Sequence, residues 1–484
     1  MTSTFIVKHS SIVVPNYIPG SCQKLEENLS IWDDLYFRYK GVGFQYDEDS
    51  QTLYLPRGLD IGYLESLLNR RAEIDYNYND EEHVTIRLKT EPRNDIQQRS
   101  IAYLLGEGSK FGYTKTKSQL ALTLQTGDGK SYCVVAALSF MRTKSLILTH
   151  VDNIKQQWIS SFKQFTNIQE DYMLDIKGSK VIEKIMKMDG PLPWKVYFVN
   201  RKTFQSYAKK HGWDAVDEFI KKIKIGVKVF DEAHIEFETM MHIDFHTNVK
   251  KTFYLTANFE RSDFKENKVF KLCFKNIPKF GTEASKEKDR HIVYVPVFFN
   301  SHPSLEDKMG VKGIKGWLDK NKYSDYLMKK DSFFEILDKA LDMLKLEGES
   351  SRLLVLSSKI DSTYYIESFL KEKYNGKDIG IYNSKIDDKV KEHVKAECDI
   401  ISSTPKSMGT GTDIPELRYV INIEPYSSAV QANQMAGRLR ALQNGNKTFF
   451  FELIDEGFPE ITRMYKKRLP VFKKKCVQIM EIKF

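Results

Sequence analysis

Apolar runs of strand length punctuate most of the chain. SLILTHV, WKVYFVN, GVKVFDEAH and KTFYLTAN follow one another from residue 145 onward, and helix-like segments such as DNIKQQWISSFKQF separate them. Apolar strands alternating with helical periodicity predict a parallel sheet with crossover helices. A second series of the same kind follows: HIVYVPVFF, a helical stretch over 332–346, RLLVLSS, IGIYN, CDIISST, YVINIE and TFFFEL. The polar stretch 276–290, NIPKFGTEASKEKDR, reads as a linker between the two series. Residues 1–88 are patterned differently, with short strand-like and helix-like pieces. DSQTLYLPRGL predicts a turn and an edge strand closed by Pro56 and Gly58, and IGYLESLLNRR predicts a short amphipathic helix. The acidic cluster Asp80, Glu81 and Glu82 marks a boundary. The expectation is an α/β chain with a small N-terminal domain over 1–88, a parallel-sheet domain over 89–278 and a second over 279–484.

Composition narrows the class. A chain of 484 residues exceeds one typical domain, and 41% hydrophobic residues suffice for several cores. No apolar run is long enough to span a bilayer, and MTSTFIVKHS lacks the basic start and apolar core of a signal peptide. A cytoplasmic location is expected. The five cysteines lie far apart with no CxxC pair, which argues against a zinc site and a disulfide framework. A net charge of +9 points to a polyanionic partner.

Two segments carry chemistry. TLQTGDGKSY, 123–132, places a Gly-x-Gly-Lys-Ser run between two apolar segments. A phosphate cradle needs converging backbone N–H groups, a lysine for the terminal phosphates and a hydroxyl for Mg²⁺. Thr126, Gly127, Asp128 and Gly129 supply such a loop, Lys130 the lysine and Ser131 the hydroxyl. The strict G-x-x-x-x-G-K-[ST] spacing is not met, because Leu124 replaces the first glycine. The alternative is a glycine-rich turn that contains a lysine. About a hundred residues on, VKVFDEAH ends an apolar strand in two adjacent carboxylates. Asp231 suits a metal, Glu232 suits the positioning of an attacking water, and His234 closes the motif.

Taken in order, these segments resemble a superfamily 2 DEAH-motif helicase, over roughly residues 90–455. Within that superfamily the chain is similar to the compact UvsW-type phage DNA helicases, with RecG and XPB relatives. PRNDIQQRSI looks like the adenine-reading glutamine motif, with Gln97 as reader. LQTGDGKS is similar to motif I and DEAH to motif II, while LTHVDNIKQQW stands where motif Ia falls. VNRKTF resembles motif Ib. LTAN resembles motif III, with Thr256 first and Asn258 in its third place. LLVLSSK resembles motif IV, STPKSMGTGTDIPEL motif V and QANQMAGRLRA motif VI. Gln434, Gly437 and Arg438 match Q-x-x-G-R. The second arginine of that motif would fall on Ala441, and Arg440 lies one position early.

The resemblance implies two tandem RecA-like parallel-sheet domains behind a small α+β domain. ATP and Mg²⁺ are the implied cofactors. Lys130, Asp231, Glu232, His234, Gln434 and Arg438 are the implied catalytic set, and Gln97, Asp413 and Arg440 join the loop in holding nucleotide. Thr149, His150, Thr203, Ser358 and Thr404 are expected on nucleic acid; for His150 the alternative is a cap on the sheet. The basic patch RMYKKRLPVFKKKC, 463–476, is a further contact or a solvated helix face, and its Tyr465 and Phe472 either stack on bases or pack on the second domain. The implied activity is a monomeric, DNA-stimulated ATPase that unwinds or remodels branched DNA in phage replication, recombination or repair, alongside proteins of those processes. An RNA helicase and a non-catalytic nucleic-acid-binding scaffold are the alternatives. Residues 1–88 are read as a DNA-binding or docking module.

Overall fold

The structure, a computed structural model, describes the chain apart from residues 1–3, 34–36, 125–127, 258, 262, 282–288, 315, 347–350, 409–413 and 443; at 289, 290 and 430 it describes the backbone alone. The chain divides into two compact units, Met1–Ser285 and Lys286–Phe484.

The central sheet of the first unit runs in the order Met173–Ile176, Val196–Asn200, Ser145–Thr149, Val227–Phe230, Lys251–Leu255, Gln119–Leu122 and Lys279–Phe280. Every pairing in it is parallel. Ser145–Thr149, Val227–Phe230 and Lys251–Leu255 are buried along their whole length, as strands covered by helices on both faces must be. That is why they read as unbroken apolar runs. The helix expected at DNIKQQWISSFKQF spans Asp152–Phe165.

The N-terminal residues form a five-stranded sheet in the order Gln45–Asp47, Thr52–Pro56, Ser11–Val14, Thr4–Val7 and Arg71–Ile74. Thr52–Pro56 is not the expected edge strand: it pairs with Ser11–Val14 on one side and Gln45–Asp47 on the other. Pro56 is tolerated because it occupies the last strand position, where a missing N–H costs one terminal bond. This sheet shares a core with the larger one. Phe5, Ile12, Leu53 and Leu55 join Phe219, Phe237, Met240 and Tyr254 in a single apolar cluster.

A buried polar knot fastens the same seam. Lys228 Nζ lies 2.6 Å from Asp244 Oδ1 and donates to Ser10 Oγ and to the Thr247 carbonyl. Gln119 Nε2 donates to Asp244 Oδ2 and to the Ser10 carbonyl, and the Tyr254 hydroxyl donates to Asp244. Burial lowers the Lys228 pKa and raises that of Asp244, and each is pulled back by the other's charge.

The second unit holds an eight-stranded sheet. Seven strands follow the order Ile379–Tyr382, Ile400–Ser403, Arg352–Leu356, Leu417–Asn422, Thr448–Asp455, Asp289–Phe299 and Cys476–Ile479, and Ile482–Lys483 also pairs with Asp289–Phe299. The expected fold class therefore holds: two tandem parallel-sheet domains with a small α+β N-terminal domain. The polar stretch 276–290 is less of a linker than its composition suggests. Lys279–Phe280 is a strand of the first sheet and Asp289 opens a strand of the second. The helix Pro459–Lys475 packs on the second sheet through Ile461, Tyr465, Arg468 and Phe472. Phe472 stacks on Tyr294 with centroids 3.8 Å apart, and the Tyr465 hydroxyl donates to Glu481. Tyr465 and Phe472 are thus core residues and not base-stacking platforms.

Candidate functional site

The functional side chains of the first unit gather at the carboxyl ends of its parallel strands, where crossover topology opens a crevice. Lys130 is the first residue of the helix Lys130–Met141, and Gly129 before it has φ +82°. The positive φ favours glycine, and a Cβ at Gly129 would push aside the Gln97 carboxamide that braces the loop. The helix start aims its free N–H groups and positive dipole end at the loop, as an anion site requires. Lys130 Nζ lies 3.8 Å from Glu232 Oε1. Ser131 is partly exposed one residue further on, and Asp128 is partly exposed in the loop. Thr126 and Gly127 lie outside the described residues.

Gln97 is fully buried. Its Nε2 donates to the Asp128 carbonyl, and its Oε1 accepts from the Arg93 N–H. Both ends of the carboxamide are used to hold the phosphate loop. The expected role as adenine reader would have to use the second N–H and the second lone pair of this buried carboxamide.

The DEAH turn follows Val227–Phe230 directly. Asp231 is buried, with Oδ2 accepting from Trp158 Nε1 at 2.8 Å and Oδ1 from the Glu232 N–H at 3.0 Å. Burial, then the adjacent Glu232 charge, raise the Asp231 pKa, and Lys130 opposes them. Glu232 has φ +47°, a left-handed conformation unusual for a side chain of this kind. Its Oε2 is buried and accepts no hydrogen bond among the described residues, though His234 Nδ1 lies 3.3 Å from it. His234 Nδ1 bonds Thr256 Oγ1 at 2.9 Å, which ties the DEAH turn to the LTAN segment. Burial and the nearby Lys130 charge lower the His234 pKa to about 3, so its ring is neutral.

Two arginines hold this turn by its main chain. Arg201 is fully buried and donates to the carbonyls of Asp231, Glu232 and Ile235. Burial lowers its pKa to about 10, which leaves it a cation at neutral pH. Arg261 donates to the His234 carbonyl and pairs with Glu266. The sequence reading singled out neither arginine, nor Trp158. Arg201 sat inside the quoted VNRKTF, at the position where the strand Val196–Asn200 hands over to a helix. Arg261 stands in an irregular loop and gives no pattern signal.

The expected nucleic-acid contacts separate in the structure. Thr149 is buried, and its hydroxyl donates to Asn200 Oδ1, so it orients Asn200 and cannot meet a strand. His150 is partly exposed at the same strand end, and burial lowers its pKa to about 4. Thr203 and Ser358 are partly exposed. Thr404 is buried and caps the short helix Pro405–Met408, accepting from the Ser407 N–H and bonding its hydroxyl. As a capping residue it spends its hydroxyl hydrogen and one lone pair on this helix, and its expected role as a backbone contact would use what is left.

In the second unit, Gln434 lies on the helix Ala429–Ala436, which Ser428 caps. Arg438 follows that helix. It keeps part of its surface open while burial lowers its guanidinium to about 10. His291 Nε2 bonds the Leu439 carbonyl and fixes the segment to the sheet, and Arg440 is exposed. Asp413 and Asn258 lie outside the described residues.

The donor set of the first unit fits a hard divalent cation. Ser131 offers a hydroxyl, and each Asp231 oxygen retains an acceptor site beyond the bond it makes.

Residues 89–261 match the family of the type III restriction enzyme res subunit, and residues 333–441 match the helicase conserved C-terminal domain. Transcript termination protein A18 of Yaba-like disease virus is 23% identical over 362 residues, covering 71% of this chain and 69% of that protein. S. cerevisiae Dbp5 bound to RNA and ADP BeF3 superposes with a TM-score of 0.51 at 11% identity, over 80% of this chain and 89% of that one. T4 UvsW spans 99% of both chains at 14% identity with a TM-score of 0.37, which is too low to carry a likeness of fold.

Proposed function

We propose that this chain is a superfamily 2 helicase, an ATP-driven DNA helicase and translocase that unwinds or remodels branched DNA in phage replication, recombination or repair. The observation that carries the hydrolytic reading is the inequality of the two DEAH carboxylates. Both Asp231 oxygens accept hydrogen bonds from fixed donors, whereas Glu232 turns Oε1 toward Lys130 at 3.8 Å and keeps a buried Oε2 that accepts no hydrogen bond, with His234 Nδ1 3.3 Å away. A buried acceptor left open at a phosphate site suits an attacking water.

The chemistry then divides among named residues. Lys130 and the N–H groups at the start of its helix hold the terminal phosphates. Ser131 and Asp231 would hold Mg²⁺, which when bound neutralises charge on the phosphate oxygens. Glu232 orients the water, and His234, neutral, keeps the turn bonded to Thr256. The resemblance of this segment to motif VI gives Arg438 the role of a positive charge toward a γ-phosphate, with Gln434 and Arg440 as its neighbours in that role. Thr203 and Ser358, with His150 beside them in function, contact the backbone of the strand.

Residues 1–88 carry eight Lys and Arg against fourteen Asp and Glu. A net charge of −6 suits a protein partner better than a polyphosphate, so we assign this module to docking. A second reading, an RNA-directed motor, is favoured by the likeness to a protein named for transcript termination and to an RNA-bound structure.

Steady-state ATP hydrolysis tests these readings, measured with no nucleic acid, with single-stranded DNA, with a four-way DNA junction and with single-stranded RNA. Lys130→Ala is the blank. Stimulation greatest on the junction and lost in the variant supports DNA remodelling. Stimulation by RNA alone supports the second reading. No hydrolysis under any condition, with nucleic acid still bound, leaves only a scaffold.

A further inference from the structure

The helix Pro459–Lys475 has two unlike faces. One is fixed in the core of the second unit: Arg468 pairs with Glu452 at 2.9 Å, both buried, and Phe472 stacks on Tyr294. The other presents Arg463, Lys466, Lys467, Lys473 and Lys474, all exposed. At 100° per residue these five fall in a stripe about 120° wide, and Arg463 to Lys474 covers about 16 Å of helix axis. None of the five makes an ion pair among the described residues. Several lysines on other helices of this unit are paired, as in Lys371 with Glu367, Lys391 with Asp388 and Lys395 with Glu392.

Helix stability accounts for only part of the stripe. Lys473 and Lys474 lie in the last turn, where cations complement the negative end of the dipole. Arg463 has Glu460 three residues before it and helps lower that carboxylate's pKa; Lys466 and Lys467, also in the first half, gain nothing from the dipole, and Arg463 and Lys467 repel at i,i+4. Their arrangement favours an external anion. About 16 Å is the axial length of about five phosphates on one strand of a duplex. We propose that the exposed face of this helix is an auxiliary nucleic-acid contact that binds the phosphate backbone without reading sequence. The inference rests on the helicase reading for the identity of the polyanion.

The test compares two triple variants that remove equal charge. One is Arg463→Gln, Lys466→Gln, Lys467→Gln. The control is Lys371→Gln, Lys391→Gln, Lys395→Gln. Binding of a fluorescent single-stranded DNA and of a duplex is measured by anisotropy from low to moderate salt, and basal ATP hydrolysis without nucleic acid reports an intact motor. The stripe variant should bind more weakly, and its slope of log K against log salt should be shallower by about 2–3, at about 0.7–0.9 per phosphate contact. The control should keep the wild-type slope. A Lys473→Gln, Lys474→Gln variant should lower the slope by about 1–2 on the same arithmetic. Equal slopes in stripe variant and wild type overturn the proposal, as does an equal change in the control. Loss of binding to phosphatidylserine vesicles with nucleic-acid binding intact overturns it too. If the wild-type chain neither binds nucleic acid nor hydrolyses ATP, the helicase reading itself fails.

Discussion

Arg201→Met tests whether the DEAH turn is held by its main chain. The arginine donates to three carbonyls, those of Asp231, Glu232 and Ile235, from a fully buried position. Methionine keeps the aliphatic stem and removes every donor. Glu232 stands at φ +47°, and a left-handed conformation costs a non-glycine residue about 1–2 kcal/mol. While Arg201 is present that cost is outweighed by charge-assisted hydrogen bonds of about 1.5–3 kcal/mol each. Without it the turn relaxes toward negative φ and carries the Glu232 carboxylate away from the water. A preference of about 1–2 kcal/mol against the productive turn lowers kcat about 5- to 30-fold, at 1.36 kcal/mol per decade. KM for ATP should change little, because the Lys130 loop is braced separately through Gln97. The assay is nucleic-acid-stimulated ATP hydrolysis over a range of ATP, with circular dichroism as the check on folding. Arg201→Lys keeps the charge but cannot span three carbonyls, and should fall between the two. A folded Arg201→Met chain with wild-type kcat refutes the reasoning.

Three further outcomes are expected. Lys228→Ala leaves Asp244 as an uncompensated buried carboxylate and should destabilise the first unit by about 3–5 kcal/mol; denaturation followed by tryptophan fluorescence reads this unit, which holds Trp32, Trp158, Trp194 and Trp213, and a loss under about 1 kcal/mol would count against the knot. Gly129→Ala should abolish nucleotide binding in a fluorescent ATP-analogue titration, because the added methyl displaces Gln97 and strains the positive φ. His234, with its pKa lowered to about 3, and His246, lowered to about 4, are both buried and neutral when folded and take up protons on unfolding. Their contribution is complete above the unfolded pKa of about 6.5 and declines as pH falls below it, by about 1–2 kcal/mol each by pH 5; a denaturation midpoint of the first unit that stays flat from pH 7 to 5 would sink this assignment.

Much of the fold was legible because parallel strands covered on both faces must be apolar throughout. SLILTHV and KTFYLTAN have no other sensible place. DEAH was legible for the same reason, as two carboxylates at the end of an apolar strand. What escaped was whatever depends on long-range hydrogen bonding. Arg201 and Trp158 look like an ordinary cation and an ordinary apolar residue until the fold brings them to Asp231. Thr149, Thr404 and Gln97 were assigned outward roles because polar side chains at strand and helix ends often face ligand, yet each is buried and bonded within the protein. Thr52–Pro56 was misplaced at an edge because a proline was weighed without its position in the strand.

The shared core between the N-terminal sheet and the larger sheet has a mechanical consequence. A docking module on a flexible tether holds its partner at an effective concentration set by linker length. Here Lys228, on the strand that leads into Asp231, is bonded to Ser10 of the small sheet. On the proposed docking role, a partner seated on residues 4–74 would be held at a fixed distance and angle from Asp231 and Glu232.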